Sequence, residues 1–554
     1  MRRSELRYGD MAVSAFIAAF VLSLYWKTTG FGFTYLDDNV LVANSYSYLS
    51  DITNMVRAFG QTIFKNSFLP YYRPVLSVSL ILDAQIGGMS VFVFHLTNML
   101  LHALASCLVY IALTRMSYGR AASAFFGLLF AVHPALSQAV AWIPGRNDSL
   151  LAVFVLLSFI CMIAHLKTRS VWSMVWHAIF FIAALFTKES AVMMVPVFII
   201  YMRLIAHEKL FSRSGKIFFC LWLVSISLWG AARGYALHGA QEVTIFDMNR
   251  YVIANSPALI QFAGKIMLPF NLSVFPTIED TSYIYGFFTI VFMAIALSLT
   301  ARKRYAHMFF GFFWLVIFLL PSLVRPNFSI STDFLEHRVY IPTIGFGILF
   351  METDIMKRYS LKDYRALIIS ALIVIFFAAA SYKHSENFKD RMSFWKNAVS
   401  TSPHSSFAHM ALGAAYHSAG SLDRAEEEYR KSLMLDPLHP LSLCNLGDVY
   451  LRKGRFDEAR KELKKAIAVS PFNDEAYTVL GTVYYKTGDK GMASGSWERA
   501  LEINPDNVYS MKNLAILHYE SGDYKRSGRY VEMLKARGLE PPGEFQEKIR
   551  ANAR

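Results

Sequence analysis

The sequence predicts an all-α protein in two parts, a polytopic bundle of membrane helices followed by a solenoid of helical hairpins. Three observations carry that prediction. The 554 residues are 54% hydrophobic and 15% aromatic, with a mean hydropathy of +0.33, too apolar for a water-soluble chain of this length. The apolar residues are gathered in runs before about residue 383, several of them long enough to cross a bilayer. Beyond that point the chain turns polar and repeats: Pro403, Pro437, Pro471 and Pro505 are evenly spaced by 34 residues.

Runs at about 11–26, 91–114, 121–141, 149–166, 171–187, 190–206, 216–236, 283–300, 305–323, 339–353 and 366–382 predict about eleven spans. The first follows Met1-Arg2-Arg3 and is read as an uncleaved helix, because no small-residue cleavage site comes after it. With the N-terminus inside, the basic loops 115–120, 167–169, 203–216, 302–304 and 357–365 all fall on the cytoplasmic side, as the positive-inside rule requires. Two weaker stretches, 75–86 and 258–272, fit that order only if they lie in the interface or re-enter. The C-terminus is then extracytoplasmic. The formal charge of +14 sits mainly in these short loops, which argues against a nucleic-acid-binding surface. The four cysteines show neither metal-ligand spacing nor a disulfide framework.

This topology puts the unusual polar residues on one face. Asp37 and Asp38 follow the first span, and a carboxylate pair there is a candidate general base or metal ligand. Arg73-Pro74 closes the same long loop. His95, Asn98 and His102 share one helix face, where hydrogen bonding between helices is the simpler role. His133-Pro134 breaks the third span, and Arg146-Asn147-Asp148 follows Pro144-Gly145. Lys188-Glu189 and Glu336-His337-Arg338 make two further charged clusters. Each alone fits a structural ion pair, but their convergence on one face points to a pocket for an anionic, partly lipidic substrate.

In the polar part, Gly413, Gly447 and Gly481 keep the 34-residue period, as do Gly420, Gly454, Gly488 and Gly522, and Ala425, Ala459 and Ala493. This is the tetratricopeptide (TPR) pattern. The domains are read as 1–383 for the membrane part, 384–405 for a connecting half-repeat, repeats at 406–439, 440–473, 474–507 and 508–541, and a tail at 542–554. No flexible linker separates the parts, so the solenoid is expected to dock rigidly. Such arrays present a concave surface to a protein acceptor or partner.

Taken in order, these motifs resemble the transmembrane-and-TPR O-mannosyltransferases, of the C-type glycosyltransferase fold. The resemblance rests on Leu36-Asp37-Asp38, Arg73-Pro74, His95/Asn98/His102, His133-Pro134, Val140 to Ile143, Gly145 to Asp148, Lys188-Glu189, Phe246 to Asn249, Lys265 to Pro269, and Glu336 to Pro342. A short array and an interrupted Asp247-Met248-Asn249 point to a prokaryotic relative in an inner membrane, with an endoplasmic-reticulum location if the source is eukaryotic. The resemblance implies transfer of mannose or another hexose from a polyprenyl- or dolichyl-phosphate sugar to an extracytoplasmic acceptor, with inversion and without a covalent intermediate. It implies Asp37 or Asp38 as base and Arg73, His133, Arg146, Lys188 and Arg338 around the donor phosphate. His95, His102, Asp148, Glu189 and Glu336 are implied in support, and help from a divalent metal stays open. The alternatives are an envelope polysaccharide or lipid glycosyltransferase and a non-catalytic TPR scaffold.

Overall fold

The computed structural model describes residues 2–63, 71–238, 245–324, 334–540 and 542–552. The regular elements among them are helices. They form two compact units, Met1–Ser402 and Pro403–Arg554.

Among the described residues of the first unit six helices are long and apolar enough to cross a membrane: Tyr8–Gly30, Val91–Arg115, Ile143–Thr168, Arg213–Ala236, Tyr305–Leu323 and Tyr364–Phe388. A seventh appears if Arg120–Ala131 and Pro134–Ala141, which meet at a bend of 52°, count as one span. The bend lies at His133-Pro134, where the residue before proline leaves the helical region (φ −71°, ψ 122°). The other expected spans are shorter helices, such as Val171–Thr187, Ile284–Ser298 and Pro342–Met351. Length and apolarity therefore single out six or seven of the eleven expected spans.

The helices used below are α1 (Arg2–Tyr25), α2 (Pro74–Gly87), α3 (Val91–Arg115), α4 (Arg120–Ala131), α5 (Arg146–Thr168), α6 (Val171–Thr187), α7 (Tyr305–Leu323), α8 (Pro342–Met351), α9 (Tyr364–Ser385) and α10 (Arg391–Thr401). Small residues let backbones meet. A Cβ added to Gly345 of α8 would lie 2.5 Å from the Leu315 nitrogen of α7. The basic loops gather at one end of this bundle. Lys167 donates to the Arg115 carbonyl (2.6 Å), Tyr118 to Glu352 (2.8 Å), and Lys357 to the Arg302 carbonyl (2.6 Å), while Arg304 chelates the same Glu352. The charged clusters singled out in the sequence lie at the opposite helix ends.

α10, within the segment expected to be a connecting half-repeat, is part of this first unit. The Trp395 indole donates to the Thr34 carbonyl at 3.1 Å, Asn397 accepts from the Val274 amide at 3.1 Å, and Ser402 donates to the Phe275 carbonyl at 2.7 Å.

The second unit is a series of helix pairs: Ser406–Ser418 with Leu422–Leu435, Pro440–Arg452 with Phe456–Val469, Asp474–Lys486 with Lys490–Ile503, and Val508–Glu520 with Tyr524–Lys535. Each turn carries a glycine at positive φ, from 75° at Gly420 to 87° at Gly488, where a side chain would be strained. Inside each pair, the first-helix small residue meets a large one sixteen positions on. Gly413 faces Tyr429, Gly447 faces Leu463, and Gly481 faces Trp497. In the fourth pair Ala515 packs with the smaller Val531, which explains why that glycine is replaced.

A Cβ at Gly447 would come within 2.6 Å of Leu463. Gly447→Val is expected to destabilise the solenoid by about 1–3 kcal/mol, as overpacking does. Thermal unfolding and protease sensitivity of the C-terminal unit measure this, and an unchanged melting curve would contradict the packing described.

Candidate functional site

The site is built around the start of α5. Gly145 precedes it because a Cβ there would lie 2.5 Å from the Gln138 carbonyl oxygen, so only glycine lets the 138–141 turn seat against the helix. The next three residues then point three ways.

Arg146 turns inward. Its side chain is fully buried and paired with Asp83 of α2 at 2.5 Å. Its remaining donors reach Asn98 Oδ1 (2.7 Å), the Phe94 carbonyl (2.6 Å) and Ser79 (3.3 Å). Asn98 donates in turn to the carbonyls of Val140, Trp142 and Ile143. This guanidinium is a brace between α2, α3 and α5, with its donors engaged by Asp83, Asn98, Phe94 and Ser79.

Asn147, with its amide oriented to suit both neighbours, accepts from Arg73 Nη1 at 2.7 Å and donates to the Thr187 carbonyl at 3.1 Å. Arg73 sits just before Pro74, held out of the helical region (φ −139°, ψ 61°), and forks onto Glu189 at 2.8 and 3.1 Å. Asp148 receives the Lys188 ammonium at 2.8 and 2.9 Å and lies 3.7 Å from His337 Nε2. Lys188 is in extended conformation between α6 and the 3-10 turn Glu189–Met193, which sends its chain back to α5. The result is two carboxylate–cation pairs, Glu189–Arg73 and Asp148–Lys188, joined through the buried Asn147 and bordered by the buried His337, with Glu189, Arg73 and Lys188 partly exposed.

Burial pushes the Lys188 ammonium below its ordinary range, against the pull of Asp148 and with added repulsion from Arg73. Burial works against ionisation of Glu189, but the Arg73 guanidinium outweighs it and holds the carboxyl at about 2. Arg73 itself is disfavoured by burial and raised on balance by Glu189.

The aspartate pair divides. Asp38 is buried, with Oδ2 accepting from the Thr34 amide (2.6 Å) and hydroxyl (3.0 Å) and Oδ1 from the Tyr35 amide (2.8 Å). Burial raises its pKa while these donors oppose the rise. The turn needs Tyr35 at φ 62°, with the Arg391 guanidinium 4.8 Å from the Tyr35 ring centre. Asp37 is half-buried at the head of the turn Asn39–Ala43, whose Leu41 and Val42 pack on Leu76 and Leu80 of α2.

The remaining expected residues are placed as follows. Arg338 is half-buried on the 3-10 turn Glu336–Val339. Glu336 is fully buried and orients neither Arg338 nor Lys188: it accepts from Lys265 (2.7 Å), the Ser273 amide (2.8 Å) and His384 (2.9 Å). His133 accepts from the Ala135 amide through Nδ1, so its Nε2 carries the proton donated to the Ile266 carbonyl at 2.7 Å. It braces the bend in the third span, and neither nitrogen is left for phosphate. His102 donates from Nε2 to the Ala131 carbonyl (3.0 Å) and accepts the Tyr340 hydroxyl on Nδ1 (2.6 Å). His95 is buried edge-on to Phe31. The side chains of Phe246 and Asp247 lie outside the described residues. Among the described residues no group of three or more His, Cys, Asp or Glu is arranged to hold a metal.

Sequence reasoning missed His337, Asn147 and Gln138. Gln138 fixes the His337 amide at 3.0 Å, and the Trp142 and His337 rings lie 5.6 Å apart. Asn147 and His337 lie inside the motifs Gly145 to Asp148 and Glu336 to Pro342, which was the available signal, whereas Gln138 lies outside the motifs.

Fold and site define a helical membrane protein carrying TPR repeats and a charged cluster at one end of its bundle. A "TPR repeat" family model matches residues 447–488, and a "Tetratricopeptide repeat" model matches 408–437 and 474–507. The chain is 31% identical over 192 residues to protein O-mannosyl-transferase Tmtc1 of Drosophila melanogaster, covering 34% of this chain and 22% of that protein. It is 24% identical over 403 residues to protein O-mannosyl-transferase F38B6.6 of Caenorhabditis elegans, covering 68% and 56%. Human protein O-mannosyl-transferase TMTC3 matches at 22% over 516 residues, covering 76% and 54%. The resemblance to the transmembrane-and-TPR O-mannosyltransferases therefore holds, and the chain spans about half or less of the length of the curated relatives it matches.

Removing Arg146 leaves Asp83 charged and buried without its partner. Arg146→Met is expected to cost about 3–5 kcal/mol, read as a lowered melting point in detergent, with part of the loss recovered by adding Asp83→Leu. A second outcome follows from the depressed Glu189 carboxyl. The stability supplied by Arg73 is fully present above the ordinary carboxyl value of 4.5 and is lost as pH falls towards 2. The difference in melting point between wild type and Arg73→Gln, followed from pH 7 to 2, should shrink over that window. A difference that grows with acid would reverse the assignment.

Proposed function

We propose that this chain is a membrane glycosyltransferase. It takes a hexose, mannose in the first instance, from a polyprenyl- or dolichyl-phosphate sugar and passes it to a hydroxyl of a protein acceptor at the extracytoplasmic end of the bundle. The observation that carries this reading is the paired array Arg73–Glu189 and Lys188–Asp148, two half-buried cations each pre-oriented by a carboxylate. The similarity to proteins named O-mannosyl-transferases supports the reaction class.

In the reaction, the acceptor oxygen bonds to the anomeric carbon while the bond from that carbon to the phosphate oxygen breaks. The acceptor proton passes to a carboxylate, and the lipid phosphate leaves with the electron pair. Lys188, Arg73 and Arg338 are assigned to the leaving phosphate. Asp37 is assigned as base, because its side chain is only half-buried while Asp38 is enclosed. The solenoid is assigned to an acceptor or partner protein.

The test is transfer of radiolabel from polyprenyl-phosphate mannose to protein in membranes holding the full chain. Asp37→Asn, at equal expression, should lower the rate by roughly 10²–10⁴-fold. Asp38→Asn should lower folded yield as well, since it loosens the Thr34–Asp38 turn. Full activity in Asp37→Asn removes that residue as the base. Label on glycan or lipid alone favours a polysaccharide or lipid acceptor, and no transfer from this donor removes mannose and leaves another hexose donor or a scaffold.

A further inference from the structure

Away from the charged cluster, a groove of roughly 470 Å³ opens between α4, α8 and α9. That volume falls within the ~300–1,000 Å³ of sites that bury a whole ligand. Its walls are apolar and largely aromatic, with Phe126 and Phe130 from α4, Phe346 and Phe350 from α8, and Ile373 and Phe377 from α9. One end reaches His133, whose ring nitrogens are both engaged. The other reaches Arg358 and Asp363, at the end of the bundle where the basic loops gather.

That rim is strongly cationic. Residues 301–305 and 352–365 carry seven cations (Arg302, Lys303, Arg304, Lys357, Arg358, Lys362 and Arg365) against the three carboxylates Glu352, Asp354 and Asp363. Glu352 is occupied by Arg304 and Lys357, and the Asp363 side chain accepts from the Arg365 amide at 3.0 Å. Arg358 lies 3.2 Å from Asp354 but remains 79% exposed, and Arg302, Lys303, Lys362 and Arg365 are exposed too. An apolar slot along a membrane helix, ending under exposed cations, matches a molecule with one long chain and an anionic head.

We propose that this groove is a binding site for an anionic phospholipid, one acyl chain lying along α9 between α4 and α8 and the headgroup phosphate resting on Arg358. The headgroup sits at the bundle end opposite Lys188 and Arg73, so this site is separate from any donor-phosphate site there. Its failure and that of the proposed reaction are independent.

The full chain in nanodiscs, with spin-labelled phosphatidylglycerol or phosphatidylcholine as probe, reports the fraction of immobilised lipid. Wild type should immobilise phosphatidylglycerol in preference to phosphatidylcholine. Arg358→Gln should cut that preference about fivefold, the effect of one cation beside an anionic lipid. Ala366→Trp, which fills the slot, should release both lipids, and Ser370→Phe serves in its place if the first variant does not fold. Equal immobilisation of the two lipids by wild type, or an Arg358→Gln preference equal to wild type, overturns the proposal. So does a stronger, Arg358-dependent preference for polyprenyl phosphate added as competitor, because the slot would then belong to an isoprenoid chain.

Discussion

A guanidinium with no access to water has to find its partners inside the protein, and at Arg146 that requirement organises the first unit. Its hydrogen bonds run to α2 through Asp83 and Ser79, and to α3 through Asn98 and the Phe94 carbonyl. An unpaired buried charge is costly enough that these three helices can be arranged only so that all of those bonds are made. Once the first turn of α5 is fixed in that way, Asn147 and Asp148 have no choice of direction. One meets Arg73, the other Lys188, and both ion pairs of the candidate site follow. The acid in the first turn of α5 also gains from the helix dipole.

The same logic sorts the other polar residues of this unit. Glu336, Lys265 and His384 form a closed set that ties the turn before α8 to the end of α9, and His102 with Tyr340 does so between α3 and the start of α8. These groups are satisfied internally and hold the frame. The ion pairs at Arg73 and Lys188 differ because they remain partly open to solvent, each side chain 16% exposed. Strong mutual pairing with an open side is what a site needs if its cations are to be positioned before an anion arrives.

The two ends of the bundle are chemically distinct. One collects acids and cations in alternating pairs, while the other collects cations in excess around Glu352. The groove beneath Arg358 joins the second end to the apolar interior, so a lipid there would fasten α4, α8 and α9 together without entering the charged array.

The sequence by itself determined whatever is local or periodic. The 34-residue spacing of Pro403 to Pro505 and of Gly413, Gly447 and Gly481 specified the helix pairs, because each repeat packs against itself and its neighbours. Apolar runs located the membrane helices, although their lengths did not establish how many cross. The order of Asp37-Asp38, Arg146 to Asp148 and Lys188-Glu189 marked the site region. Only the tertiary structure decided roles within it. Nothing in the spacing says that Arg146 turns to Asp83 and not outward, that Glu336 takes Lys265 in place of Arg338, or that Asp38 is enclosed while Asp37 is not. Those outcomes rest on hydrogen bonds between helices far apart in sequence and, for Asp38, on one left-handed residue at Tyr35, and no helical or strand period encodes either.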